Sequence, residues 1–310
     1  RQSTDVCETN DVMARACQSR AMSFFADDAE IERVFSGAEW TEGPVWLPQT
    51  GRVRFSDIPN DRVLEYEPAT GHTRVQAQPA GYQNGRTLDG AGRIVQCSHG
   101  HRRVERSHPG AAPAEVEVLA GHWQGHRLNS PNDVVVASDG TVWFTDPPYG
   151  IQPDGREGYP GEMEYGACYV FRHDEVTGQL DAVITDMDRP NGLAFSPDES
   201  VLYVADTGAR PNLRAYDVVG GACTNGRDVP TVPVGAVDGL RVDRVGRLWC
   251  SAGDGVYVLS PDGDVLEHLA VPEVVSNLCF GGERGEWLYI TATRSLYRVP
   301  LTASATLGKR

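Results

Sequence analysis

Six times along the chain, a short polar–glycine or polar–Asx element introduces an apolar run. Four of these read Glu42-Gly43-Pro44-Val45-Trp46, Pro131-Asn132-Asp133-Val134-Val135, Pro190-Asn191-Gly192-Leu193-Ala194 and Val237-Asp238-Gly239-Leu240. Two fainter ones open at Tyr82-Gln83-Asn84-Gly85-Arg86 and Ser276-Asn277-Leu278-Cys279-Phe280. With Gly43, Gly85, Asp133, Gly192, Gly239 and Leu278 as equivalent points, the spacings are 42, 48, 59, 47 and 39, with a mean of 47. A period of that length belongs to propeller blades. One such unit cannot bury both faces of its sheet alone, so the units must close into a ring and fold together.

Each unit repeats an inner grammar. The polar opening leads to an apolar strand and then a turn, such as Ser138-Asp139-Gly140, Pro197-Asp198-Glu199-Ser200 or Asp243-Arg244-Val245-Gly246. An aromatic strand follows, such as Val142-Trp143-Phe144-Thr145, Val201-Leu202-Tyr203-Val204 or Arg247-Leu248-Trp249-Cys250, and after a second turn a third strand. Short β-branched and aromatic runs bounded by Gly, Asp, Asn and Pro are strands with tight turns. Sustained helical periodicity is confined to one candidate, Val12 to Phe25. The 34 glycines and 20 prolines suit a turn-rich all-β chain. The reading is therefore an all-β fold: a six-bladed β-propeller over residues 31–310 around a central channel, preceded by an N-terminal extension over 1–30. Ile31-Glu32-Arg33-Val34-Phe35 is expected to supply the outer strand of the last blade and close the ring.

Closure of that ring brings Glu42, Asn132, Asn191 and Asp238 to one axis from distant parts of the sequence. Two carboxylates and two carboxamides are hard oxygen donors, and they predict a central metal site holding one divalent cation. Calcium fits first, with magnesium or manganese also suited. Zinc is possible but ordinarily prefers His or Cys. The competing reading is that Glu-Gly, Asn-Gly and Asp-Gly are ordinary turns. It weakens because the hairpin turns are accounted for elsewhere, at Asp139-Gly140 and Asp262-Gly263. A ring of polar groups in a narrow channel is also costly unless a cation or water satisfies it.

Composition narrows the partners. A formal net charge of −15 argues against nucleic acid and anionic membrane surfaces. No run of 18 apolar residues is present, so no membrane span is expected. Of seven cysteines, Cys97, Cys168, Cys250 and Cys279 fall in strand-like runs and read as small buried hydrophobes. They favour a cytoplasmic setting over a periplasmic or secreted one. Cys7 and Cys17 can pair only in an oxidising compartment. The sequence carries no signal for oligomeric state.

Several segments together resemble the senescence-marker/gluconolactonase family. They are Trp40-Thr41-Glu42-Gly43-Pro44-Val45-Trp46, Arg127-Leu128-Asn129-Ser130-Pro131-Asn132-Asp133, Phe144-Thr145-Asp146-Pro147-Pro148-Tyr149-Gly150, Arg189-Pro190-Asn191-Gly192-Leu193-Ala194-Phe195-Ser196-Pro197-Asp198 and Asp238-Gly239-Leu240. The resemblance spans roughly Ala38 to Pro300. It implies a six-bladed propeller with a single divalent ion, the architecture read above from the repeat. It implies that Glu42, Asn191 and Asp238 are the principal metal ligands and that Asn132 is a ligand or a substrate contact. It also implies that Arg127 and Asn129 lie in a loop facing a sugar lactone. The segment after Asp146 departs from the animal members, which carry acidic residues there.

The chemistry that follows is metal-dependent hydrolysis of a sugar lactone of the glucono-1,5-lactone type to the aldonic acid. Asp238 is expected to act both as a ligand and as the general base. Arg127 and Asn129 would hold substrate hydroxyls. Tyr149, on a loop stiffened by Pro147 and Pro148, would line the pocket mouth. His99 and His101 are expected to be hydrogen-bonded structural groups. There is no G-x-S-x-G motif and no dinucleotide fingerprint. The alternatives are a phosphotriesterase-like or broad-specificity lactonase, a noncatalytic calcium-binding propeller and a protein-interaction scaffold. Inward-pointing Arg127 and Asn129 would favour a polyol, and an apolar wall would favour aryl or phosphoryl esters.

Overall fold

In a computed structural model, the structure describes residues 23–26, 29–112 and 115–305. They form six four-stranded antiparallel sheets, each in simple up-and-down order. Blade 1 pairs Thr41–Leu47, Arg52–Asp57, Arg62–Glu67 and His72–Ala77. Blades 2 to 5 follow the same order, with innermost strands Gln83–Leu88, Val134–Val136, Pro190–Phe195 and Leu240–Val242. Blade 6 contains Val275–Gly281, Trp287–Ala292 and Ser295–Pro300. Its fourth strand is Glu32–Ser36 from the start of the chain, paired antiparallel to Ser295–Pro300. The ring is thus closed by a strand from each end of the propeller sequence, as expected. Phe25 adds a β-bridge to Leu301. The remainder of the helix expected over Val12–Phe25, together with Cys7 and Cys17, lies outside the described residues.

The apolar core lies between the blades. Second strands such as Val142–Asp146 and Leu248–Ala252 are buried on both faces. Each fills a wedge against its neighbour: Leu248 and Cys250 pack with Tyr203 and Ala205, and Val95 and Cys97 pack with Phe144 and Phe171. The four cysteines read as buried hydrophobes are all buried and free. Outermost strands such as Ala222–Val229 are largely exposed. Buried polar side chains, by contrast, gather on the innermost strands and their entries, at Glu42, Asn84, Asn132, Asn191 and Asn277.

Glycine at the strand mouths brings the innermost strands into contact. A Cβ on Gly192 would lie 2.3 Å from the Asp238 carbonyl oxygen, and one on Gly43, where φ is +52°, would lie 2.1 Å from the Asn84 carbonyl oxygen. That approach lets Gly192 N donate to Asp238 O and Gly239 N to Ser276 O, at 2.8 and 2.7 Å. The long spacing between the third and fourth units has a structural counterpart. The segment 147–168 leaves blade 3 between its second and third strands and carries a single 3₁₀ turn, Tyr149–Ile151.

Candidate active site

Glu42, Asn132, Asn191 and Asp238 line one cavity of about 420 Å³, and Tyr149 contributes to its wall. A recurrent device sets these side chains. The last residue of the second strand in blades 1, 3 and 4 is Asp57, Asp146 and Asp206. Each carboxylate accepts backbone N–H groups from the loop entering its own blade. Asp57 takes those of Glu39 and Trp40, Asp146 those of Asn129 and Ser130, and Asp206 those of Asp188 and Arg189. Three residues beyond Glu39, Asn129 and Asp188 stand Glu42, Asn132 and Asn191. Blade 5 uses Ser251 instead, whose Oγ accepts the N–H groups of Asp238 and Gly239 at 2.8 and 3.1 Å. Backbone amides tied to buried acceptors fix the entry angle of each strand, and so the direction of the side chain at its mouth.

The cavity concentrates negative charge. Burial, reinforced by Asp133, pushes the Glu42 carboxyl up to about 7, although the Gly43 N–H and the Asn277 amide donate to it. Burial and the neighbouring charges of Glu42, Glu157 and Asp133 hold Asp238 well above the usual carboxylate range. Glu157 is itself pushed up to about 7, mainly by burial. Below this layer, Arg241 approaches Asp133 at 3.6 Å. Buried Arg86 donates to the Gly43 carbonyl and Ser56 Oγ, both at 2.6 Å. Tyr149 donates to or accepts from Thr207 Oγ1 at 2.6 Å, and Asn191 Nδ2 donates to the same oxygen at 3.1 Å.

Arg127 and Asn129 are not part of the cavity lining. Arg127 lies exposed on the hairpin His122–Trp123/His126–Arg127, its backbone N–H donating to Glu164 at 2.7 Å. Asn129 is fully buried, and its Nδ2 donates to the Asp146 and Ala167 carbonyls and to the Tyr165 hydroxyl. The Asn129 amide nitrogen therefore anchors the loop, and neither side chain expected to face substrate lines this cavity. His99 is a structural group, as expected: it is fully buried, and its Nδ1 lies 3.1 Å from the Glu157 carbonyl oxygen.

Sequence reasoning missed Glu157, Trp40 and Thr207, which also line the cavity. Glu157 comes from the 147–168 insertion, and the spacing of 59 at that repeat was the available signal. Gly150 packs so closely that a Cβ there would lie 2.4 Å from His99 Cβ, which folds the insertion back over blade 2. Ile58, Val274 and Val275 complete an apolar side of the cavity.

The donor chemistry fits a hard divalent cation. Among the described residues, no three His, Cys, Asp or Glu side chains form a metal-holding group. The candidate set instead mixes two acids with two carboxamides. Buried acids crowded enough to favour their protonated forms are the environment a cation relieves.

Residues 40–294 match the SMP-30/Gluconolactonase/LRE-like region. A gluconolactonase from Zymomonas mobilis is 32% identical over 294 residues, covering 87% of this chain and 80% of that protein. A pentonolactonase from Haloferax volcanii is 30% identical, covering 81% and 80%. The solved structure of a gluconolactonase from Xanthomonas campestris superposes with a TM-score of 0.85 at 37% identity, covering 92% of this chain and 93% of that one.

Proposed function

The chain belongs to the SMP-30/gluconolactonase/LRE-like family, and we propose that this lactone hydrolase opens sugar lactones of the glucono-1,5-lactone type to the aldonic acid with the help of one divalent cation. The observation that carries the reading is the convergence of Glu42, Asn132, Asn191 and Asp238 on one cavity. These four residues would hold the cation. Bound there, a divalent ion favours the ionised carboxylates and supplies Lewis acidity toward the lactone carbonyl. Calcium suits the all-oxygen donor set best. Asp238 takes the proton of the attacking water as general base. Tyr149, held by Thr207, and Glu157 stand on the cavity wall, where they would meet the ring-borne hydroxyls of the substrate.

The test is acid release from glucono-1,5-lactone by protein stripped with a chelator, with and without Ca²⁺, Mg²⁺, Mn²⁺ or Zn²⁺. The spontaneous rate is subtracted. Cation-dependent turnover is expected for the parent and about a hundredfold or more below it for Asp238→Ala, the scale of losing a general base. Folded protein inert with every ion would reject the reading. The apolar arc of Trp40, Ile58, Val274 and Val275 favours a second reading, a lactonase of broader scope that also takes aryl or phosphoryl esters. Comparing kcat/KM for glucono-1,5-lactone with that for an aryl ester and a phosphotriester separates the two.

A further inference from the structure

One position in each innermost strand or its entry directly precedes an equivalent point of the repeat. These positions are Glu42, Asn84, Asn132, Asn191, Asp238 and Asn277. All six carry a side-chain oxygen, and all but Asn277 line the cavity. The Asn277 amide is already engaged: its Nδ2 donates to Glu42 at 3.0 Å, and its Oδ1 accepts from Leu278 N at 2.8 Å.

Asn84 is different. It is 2% exposed, its Nδ2 lies 3.2 Å from His99 Nε2, and its Oδ1 is buried without a hydrogen-bond partner. His99 fixes that orientation. Its Nδ1 faces the Glu157 carbonyl oxygen, which can only accept, so Nδ1 carries the hydrogen. The neutral ring then offers Nε2 as an acceptor, and the Asn84 amide nitrogen must turn toward it. The carboxamide oxygen is left aimed away from His99 with nothing to accept from. A buried acceptor in that condition is destabilising until something donates to it or coordinates it. Asn84 also sits between two members of the proposed ligand set. Gly43, beside Glu42, abuts the Asn84 carbonyl, and Gly85 N donates to the Asn132 carbonyl at 2.8 Å.

We propose that Asn84 is a further oxygen donor to the cation of the central cavity, oriented for that task by His99. The inference rests on the cation reading above. An unpaired carboxamide oxygen in the same ring as two carboxylates and two further carboxamides is the kind of hard donor a divalent cation takes.

Calorimetric titration of Ca²⁺ into stripped full-length protein tests it without reference to turnover. Asn84→Ala is expected to weaken Ca²⁺ binding about tenfold or more, the scale of losing a supporting metal contact. Asn84→Asp, which restores an oxygen and adds a charge, is expected to bind at least as tightly as the parent. Parent-like affinity in folded Asn84→Ala overturns the proposal. So does unchanged affinity with a raised KM for the lactone, which would place the oxygen on substrate. If Asn84→Ala does not fold, Asn84→Asp decides alone, and binding weaker than the parent overturns the proposal. A parent that binds no divalent ion rejects the cation reading itself, and this inference with it.

Discussion

Asp206 accepts the N–H groups of Asp188, Arg189 and Gly208 at 2.8, 2.9 and 2.9 Å, yet it does not line the cavity. Replacing it with alanine leaves three donors in a loop that must stay compact. Asp206→Ala is expected to lower stability by about 1–3 kcal/mol, read from urea denaturation, since it removes three charge-assisted hydrogen bonds from a partly exposed loop whose freed N–H groups can in part turn to water. It should also weaken Ca²⁺ binding by loosening Asn191. A variant with normal affinity would show that the carboxylate only supports the fold. The residue scale explains what the sequence disclosed of the site. Glu42, Asn132, Asn191 and Asp238 were legible because their spacing follows the blade period. Glu157 was not, because it lies on an insertion with no repeat to compare. Arg127 and Asn129 do not line the cavity, and a loop motif does not say which of its side chains turn inward. For Asn129, that is decided by Asp146, Tyr165 and Ala167, the first 17 and the others 36 and 38 residues away in sequence.

At the level of strands, the same glycine has two different jobs. Gly140 sits in a hairpin turn with φ of +89° and open space where a Cβ would go. Gly192 lies in a strand, with Asp238 O and Gly239 Cα at 2.3 and 2.8 Å from that point. Gly140→Ala is therefore expected to cost about 1 kcal/mol through backbone strain alone. Gly192→Ala must push two innermost strands apart, at about 1–3 kcal/mol or more, and displace Asp238. Urea midpoints and Ca²⁺ affinities of the two variants check this: the Gly140 variant should bind normally and the Gly192 variant should bind weakly. Equal affinity in both would remove close approach as the reason for Gly192. Sequence patterning exposes inner strands better than outer ones. Leu202–Ala205 is buried on both faces and reads as a continuous apolar run. His72–Ala77 and Ala222–Val229 lie at blade edges facing solvent, so nothing apolar marks them. The closing strand Glu32–Ser36 was readable because a ring of six units needs a partner for its last blade.

For the whole molecule, the proposed ligands come from blades separated by up to 196 residues of chain, Glu42 to Asp238, so an ion bound to them recognises the closed ring and not the unfolded chain. Such binding stabilises the fold by about 2.7 kcal/mol at a hundredfold excess over Kd. The buried acids give this linkage a pH signature. In stripped protein, Glu42 and Glu157 are both pushed from 4.5 to about 7, and burial together with the charges of Glu42, Glu157 and Asp133 holds Asp238 well above its usual range. Between the unfolded and folded values, the folded state holds more protons than the unfolded chain. Their contribution is fully present below about pH 4.5 and is lost as pH rises through about 7. Stripped protein should therefore melt at progressively lower temperature across that window. A cation favours the ionised forms and competes with those protons. The rise in Tm on adding Ca²⁺ should be small near pH 5 and large near pH 8. Thermal melts in chelator and in excess Ca²⁺ across that range measure both slopes. An equal Tm increment at every pH would mean that the ion binds away from these carboxylates. No increment at any pH would mean that the ring closes without an ion, with the charge of Glu42 and Asp238 balanced by Arg241 and by retained protons.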